Sequence, residues 1–231
     1  MAGSNRNAGE WLLLADRIVT LDPDIGVIED GAVLITGDRI RAIGRRQKIA
    51  AGHRGRVVEA RGRTLMPGLV NAHMHLYSTF ARGMALPGGG APPGNFLEIL
   101  EGLWWKLDKS LTESDLYPSA AAPLCESLRR GVTTVFDHHA SPGCAPGSLD
   151  VLAEACADVG IRASLSYEVS DRDGADAAAE GIEENRRFLE RCATAKDPRL
   201  AGLFGLHAQF TLGDDTLTQC AEVGRAARAG F

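Results

Sequence analysis

The sequence predicts an α/β fold, a parallel sheet flanked by helices, with a short all-β segment ahead of it. Three observations lead there. From residue 67 onward, strand-length apolar runs alternate with helix-length amphipathic segments. The runs are almost continuously apolar, as expected of strands covered on both faces. Ahead of them, short strands surround a Gly/Asp turn, and Met66-Pro67-Gly68 marks the change of texture.

In chain order, Leu12–Thr20 reads as the first strand. Ala32–Ile35 and Ile40–Ile43 flank Thr36-Gly37-Asp38-Arg39, a tight hairpin in which Gly37 supplies a positive φ. Val57-Val58 and Thr64-Leu65 continue the pattern, so residues 1–66 form a small sheet or sandwich. His53, among Gly and Arg residues, is expected at the surface. Beyond Pro67-Gly68 the expected strands are Leu69–His75, Thr133–His138, Arg162–Tyr167 and Leu200–His207. The expected helices are Phe96–Lys109, Glu113–Arg130, Ser148–Val159 and Ala175–Ala195. Asn95 caps the first of these, with Glu98 as reciprocal partner. Phe96, Ile99, Leu100, Leu103, Trp104 and Leu107 then share one face, a stripe that reads as core or interface. Trp105 falls off that stripe and is a candidate for the mouth of a pocket. Gly88–Gly90 with Pro92-Pro93 is a loop lacking the glycine fingerprint and the Lys-Ser/Thr ending of a phosphate cradle. The alternation alone leaves an α/β barrel and an open doubly wound sheet both open.

The 231 residues are 45% hydrophobic and 24% charged, a composition suited to a soluble, core-forming chain. A net charge of −5, with the basic residues dispersed, speaks against a nucleic-acid or anionic-membrane surface. The apolar run Trp11–Leu14 is too brief for a signal peptide, and no stretch is long enough to span a bilayer. Cys125, Cys144, Cys156, Cys192 and Cys220 are far apart and form no CxxC pair. Reduced thiols in a cytoplasmic protein are therefore expected.

Of six histidines, five (His73, His75, His138, His139 and His207) fall at or near the C-terminal ends of expected parallel strands. Barrels and open α/β sheets place their active sites there. In His73-Met74-His75 the two imidazoles are at i and i+2 of a strand, on one face and about 6 to 7 Å apart along it. Two neutral imidazoles converging in this way suit one divalent ion of borderline softness such as Zn²⁺. An isolated His-x-His is a weak signal; its surroundings strengthen it. Asp137-His138-His139 reads equally as a polar pocket wall or as a hydrogen-bonded cluster supporting the histidine pair.

The run Leu65-Met66-Pro67-Gly68-Leu69-Val70-Asn71-Ala72-His73-Met74-His75 resembles the signature of the amidohydrolase superfamily, as does the hairpin Gly37–Gly44. Residues Asn95–Asp108 and Gly131–Pro142 resemble SsnA-type aminohydrolases. These sit in the branch that also holds guanine deaminase, the adenosylhomocysteine/methylthioadenosine deaminases and the triazine chlorohydrolases. The resemblance covers essentially the whole chain. It implies a TIM-like barrel preceded by a β-sandwich segment, with residues 67–231 supplying barrel strands one to four and stopping before strand five. It also implies one divalent metal ion, Zn²⁺ ahead of Fe²⁺, with His73 and His75 as ligands. The third histidine ligand, a proton-shuttling Glu and a final Asp would lie in strands beyond Phe231. His207, in Gly-Leu-His-Ala-Gln-Phe-Thr, corresponds to a residue that touches substrate in the related deaminases, with a metal-ligand or strand-end role as alternatives. Gln209 and Phe210 occupy positions of a substrate-contacting pair, and His138 and Trp105 are further wall candidates. Lys48, Lys106, Lys109 and Lys196 all miss the strand end where binuclear members carry a bridging carboxylated lysine, which favours a mononuclear site.

The implied activity is hydrolysis of a C–N bond in a cyclic amidine: deamination of a purine, pyrimidine or triazine-like ring in a small heterocyclic substrate. The alternatives are halide release by a chlorohydrolase and a non-catalytic half-barrel acting as an assembly module. Open parallel sheets expose unpaired edges, and a homodimer is one arrangement that would cover them.

Overall fold

A computed structural model describes residues 9–84 and 93–231. The glycines at 88–90 and Pro92 lie outside the described residues. Two compact units divide the chain, Met1–Gly68 and Leu69–Phe231.

The first unit is one four-stranded sheet in the order β3-β2-β1-β4, built from β1 (Glu10–Val19), β2 (Val27–Thr36), β3 (Arg39–Arg45) and β4 (Arg56–Leu65). A short helix α1 (Arg46–Ile49) follows β3. The expected hairpin joins β2 to β3, with Gly37 at φ 63°. Both faces of the sheet are apolar because β1 alternates within an apolar run. Leu12 and Leu14 pack with Ala32 in one cluster, and Ala15 and Ile18 pack with Val33 in another. The two expected β4 fragments are one strand. Its register against β1 shifts between Ala15 and Arg17. Gly62 there takes φ 69° and donates its N–H to Asp16 Oδ2 at 2.9 Å, so a bulge hides the continuity from a period-two reading. His53 is not at the surface: its side chain is 4% exposed, 3.3 Å from the Glu10 carboxylate.

The second unit is a four-stranded parallel sheet in chain order, formed by β5 (Leu69–Met74), β6 (Val132–His139), β7 (Arg162–Tyr167) and β8 (Leu200–Gly202). After β5 come a 3₁₀ turn (Leu76–Ala81) and α2 (Phe96–Ile99), then a π turn (Leu100–Trp104) running into α3 (Trp105–Ser110) and α4 (Glu113–Arg129). Helices α5 (Ser148–Val159) and α6 (Ala175–Ala195) return the chain to β7 and β8, and α7 (Asp214–Ala226) follows. Leu76, Leu124, Val135, Leu149, Leu152, Leu165 and Phe188 fill the core between sheet and helices. Among the described residues no helix is long and apolar enough to cross a membrane. All five cysteines are free.

Three elements differ from the sequence reading. The expected helix Phe96–Lys109 runs unbroken to Ser110 but contains a π turn at Leu100–Trp104, which brings Trp105 and Asp108 to the same side as Leu100 and Trp104. Asn95 Oδ1 caps the Glu98 N–H at 3.0 Å, while the Glu98 carboxylate accepts from the Asn95 side chain and from Gly94 N–H. Strand β8 is shorter than Leu200–His207 because two of its later N–H groups turn to other acceptors, and parallel pairing resumes only at the Val169–Leu206 bridge. Phe204 donates to Gly230 O and Gly205 to Asn185 Oδ1. The sequence pattern does not predict helix α7, whose polar stretch buries only Cys220 and Gly224.

Candidate active site

The C-terminal ends of the four parallel strands open into a cleft of about 620 Å³. His73 ends the exposed run of β5, and His75 follows the strand. Their Nε2 atoms lie 3.2 Å apart and their rings cross at 84°. Two nitrogen ligands of one tetrahedral Zn²⁺, each about 2.0–2.1 Å from it, are about 3.3 Å apart, so the pair has the spacing of two ligands of one ion. His75 Nδ1 donates to the His138 carbonyl at 2.8 Å, which fixes the tautomer and leaves the Nε2 lone pair free. Burial holds the His75 pKa below the ordinary imidazole value, again favouring the neutral ligand form. The donor set therefore fits a divalent ion at this pair. Among the described residues, no group of three or more His, Cys, Asp or Glu side chains is arranged to hold a metal.

Asp137-His138-His139 at the end of β6 divides into three roles. Asp137 Oδ1 accepts the Leu76 N–H at 2.6 Å, securing the chain immediately after His75. Burial pushes its carboxyl up to about 7, although that hydrogen bond pulls it down. His138 lines the cleft and gives its carbonyl to His75. His139 points into the core against Tyr77 and Tyr167, with Nε2 at 2.8 Å from Ser141 Oγ, and burial pushes it down to about 3.

His207 lies on the cleft wall, apart from the histidine pair. Its backbone N–H donates to Val169 O, and its Nδ1 is 2.7 Å from Thr211 Oγ1. Trp105 lines the cleft too, its ring 6.4 Å from that of His207. Gln209 and Phe210, expected at the substrate, are not brought to the cleft. The short 3₁₀ turn Gln209–Thr211 leaves both exposed, and Phe210 only flanks His207 at 6.3 Å.

A sequence profile of the amidohydrolase family matches residues 64–230. The chain belongs to this family. A 5'-deoxyadenosine deaminase of Methanosarcina mazei is 31% identical over 214 residues, covering 93% of this chain and 46% of that protein. A 5-methylthioadenosine/S-adenosylhomocysteine deaminase of Symbiobacterium thermophilum is 30% identical over 205 residues, covering 89% and 44%. Among solved structures, an adenosine deaminase from Xanthomonas campestris with bound zinc superposes with a TM-score of 0.74 at 23% identity, covering 95% of this chain and 47% of that one. That likeness establishes the fold as part of an amidohydrolase barrel. The chain spans about half the length of the relatives it matches.

On this amidohydrolase frame the structure adds a polar cluster that the histidine pattern did not reveal. Glu168, directly after β7, lies 3.4 Å from His138 Nε2, 2.7 Å from Arg172 and 3.9 Å from His207 Nε2. Arg172 also reaches Asp108 on α3 at 2.5 Å. Burial alone would raise the Glu168 pKa; the His138 hydrogen bond and the charge of Arg172 hold it below the usual carboxylate value. Burial carries Asp108 up to about 6, with Arg172 opposing. Glu168 carried a usable signal, as a carboxylate at the C-terminal end of an apolar strand. Arg172 carried none, because its partner Asp108 is 64 residues away.

Proposed function

We propose that this chain supplies the metal-binding and substrate-wall residues of a hydrolase that deaminates a small nitrogen heterocycle, breaking a C–N bond in a cyclic amidine. The observation that carries the reading is the His73–His75 pair, with Nε2 atoms 3.2 Å apart and His75 oriented by the His138 carbonyl. The deaminase relatives support the reaction class. Zn²⁺ is the ion we assign, because imidazole nitrogens suit it and the pair has tetrahedral spacing. A divalent ion held there would supply Lewis acidity and acidify water near neutral pH.

The chain's own residues orient the histidine pair and wall the cleft. His75 is kept neutral by burial and by its bond to His138. His207 faces the cleft with Nε2, its other nitrogen being engaged by Thr211. Trp104 and Trp105 provide flat apolar walls suited to a planar ring. Five free thiols support a reducing, cytoplasmic setting.

The test is equilibrium dialysis against Zn²⁺ at rising concentration. Weak binding saturating at one ion per chain is expected, weakened at least about tenfold in both His73→Ala and His75→Ala. Undiminished binding by either variant overturns the assignment. Ammonia release should be assayed with 5'-deoxyadenosine and guanine as probes.

A further inference from the structure

Arg172 stands apart from the residues used so far. It lies in the loop after β7, and its side chain is 8% exposed. One guanidinium binds three carboxylates: Glu168 through Nη1 at 2.7 Å, Asp108 through Nη2 at 2.5 Å and Asp173 through Nε at 3.2 Å. Its Cζ sits 5.3 Å from the Trp105 ring centroid. Asp173 in turn pairs with Lys109, beside Asp108 on α3. The loop after β7 is thus tied to α3 by two ion pairs and a stacked cation. This is the segment that carries Trp105 to the cleft, where its ring meets that of His207. Neither α3 nor the π turn before it belongs to the sheet, and α3 is the six-residue end of the helical stretch that begins at Phe96. Its position is therefore set by side-chain contacts rather than by strand pairing.

We propose that Arg172 is a positioning residue for the substrate-facing wall of the cleft: paired at once with Glu168 and Asp108 and lying on Trp105, it fixes that indole opposite His207 and so sets which ring the cleft accepts. The specificity half of this statement rests on the heterocycle reading above. The fork of a guanidinium is required. A lysine ammonium is a point charge that can neither bridge two carboxylates in a plane nor stack on an indole in the same way.

The test reads Trp105 directly. The chain has three tryptophans, so Trp11→Phe with Trp104→Phe leaves Trp105 as sole emitter. In that background, Arg172→Lys is expected to raise acrylamide quenching of Trp105 at least about threefold. Asp108→Asn, which loosens the same anchor from the other end, should shift it in the same direction. In the otherwise native chain, Arg172→Lys should weaken adenine binding by about tenfold or more, with Zn²⁺ affinity changed less than about twofold. Unchanged quenching in a folded Arg172→Lys protein overturns the proposal. If that variant does not fold, unchanged quenching in Asp108→Asn does so. Should adenine fail to bind the native chain, the heterocycle reading falls, and the quenching result still decides the role of Arg172.

Discussion

Asn185, buried in the middle of α6, makes four hydrogen bonds with its side chain. Its Oδ1 accepts the N–H groups of Tyr167 and Gly205, and its Nδ2 donates to the carbonyls of Tyr167 and Gly181. One amide therefore clips α6 to the end of β7 and to the stretch leading to His207. Gly205 is needed at the same place, because a Cβ there would stand 2.2 Å from the Tyr167 carbonyl oxygen. A carboxylate in place of the amide could still accept but could no longer donate, and it would face two carbonyls as a buried charge. Asn185→Asp is expected to cost about 3 kcal/mol at neutral pH. Urea unfolding measures this directly; a loss below about 1 kcal/mol would mean the clip relaxes without consequence.

Most elements of the Leu69–Phe231 unit are legible because period and caps agree. Arg162–Tyr167, Ser148–Val159 and Ala175–Ala195 have the bounds their patterns predict, and Gly160 closes α5 at φ 82°. The π turn is not legible. Phe96 to Leu107 satisfies a 3.6-residue stripe as written, and nothing in Leu100-Glu101-Gly102-Leu103-Trp104 announces an extra residue in the turn. Yet that residue turns Trp105 and Asp108 toward the cleft. Deleting Gly102, which has open space around its Cα, should let the turn close as ordinary α-helix. Because the π turn absorbs one residue, removing it leaves the helix on either side facing nearly as before, with Trp105 and Asp108 still toward the cleft. The expected outcome is an intact far-ultraviolet spectrum, an unexposed Trp105, and a stability equal to or up to about 1 kcal/mol above that of the native chain, since a helix-interior glycine is lost. A stability loss of about 3 kcal/mol with an exposed Trp105 would show that the π turn itself positions the Arg172 cluster.

The whole molecule carries −5 on its sequence but concentrates its difficult electrostatics inside the second unit. The histidines at strand ends were legible because imidazoles are few and the strand period fixes their faces. The Glu168–Arg172–Asp108 cluster was not, because tertiary contact alone creates it. Together these groups set the acid response of the fold. His139 is held neutral to about 3 by burial, while an unfolded histidine takes its proton near 6.5. The stability His139 contributes is therefore complete above about pH 6.5 and is lost progressively as pH falls toward 3. His75 and His207, also lowered by burial, act in the same sense. Asp137 and Asp108, raised by burial to about 7 and about 6, act oppositely: the folded state takes their protons first, so their contribution grows as pH falls toward the ordinary carboxylate value. Glu168, held low, adds a loss only below that value. Stability should thus vary little from about pH 7 to about pH 5 and drop steeply below about pH 4. His139→Gln keeps a polar side chain near Ser141 and removes the largest acid-labile imidazole. Its stability relative to the native chain should improve by up to about 1.4 kcal/mol for each pH unit between 6.5 and 4, whatever the offset at neutrality. Parallel curves in urea titrations at about pH 7 and about pH 4.5 would mean that His139 titrates alike in both states, and that the interior is not what sets the acid limit.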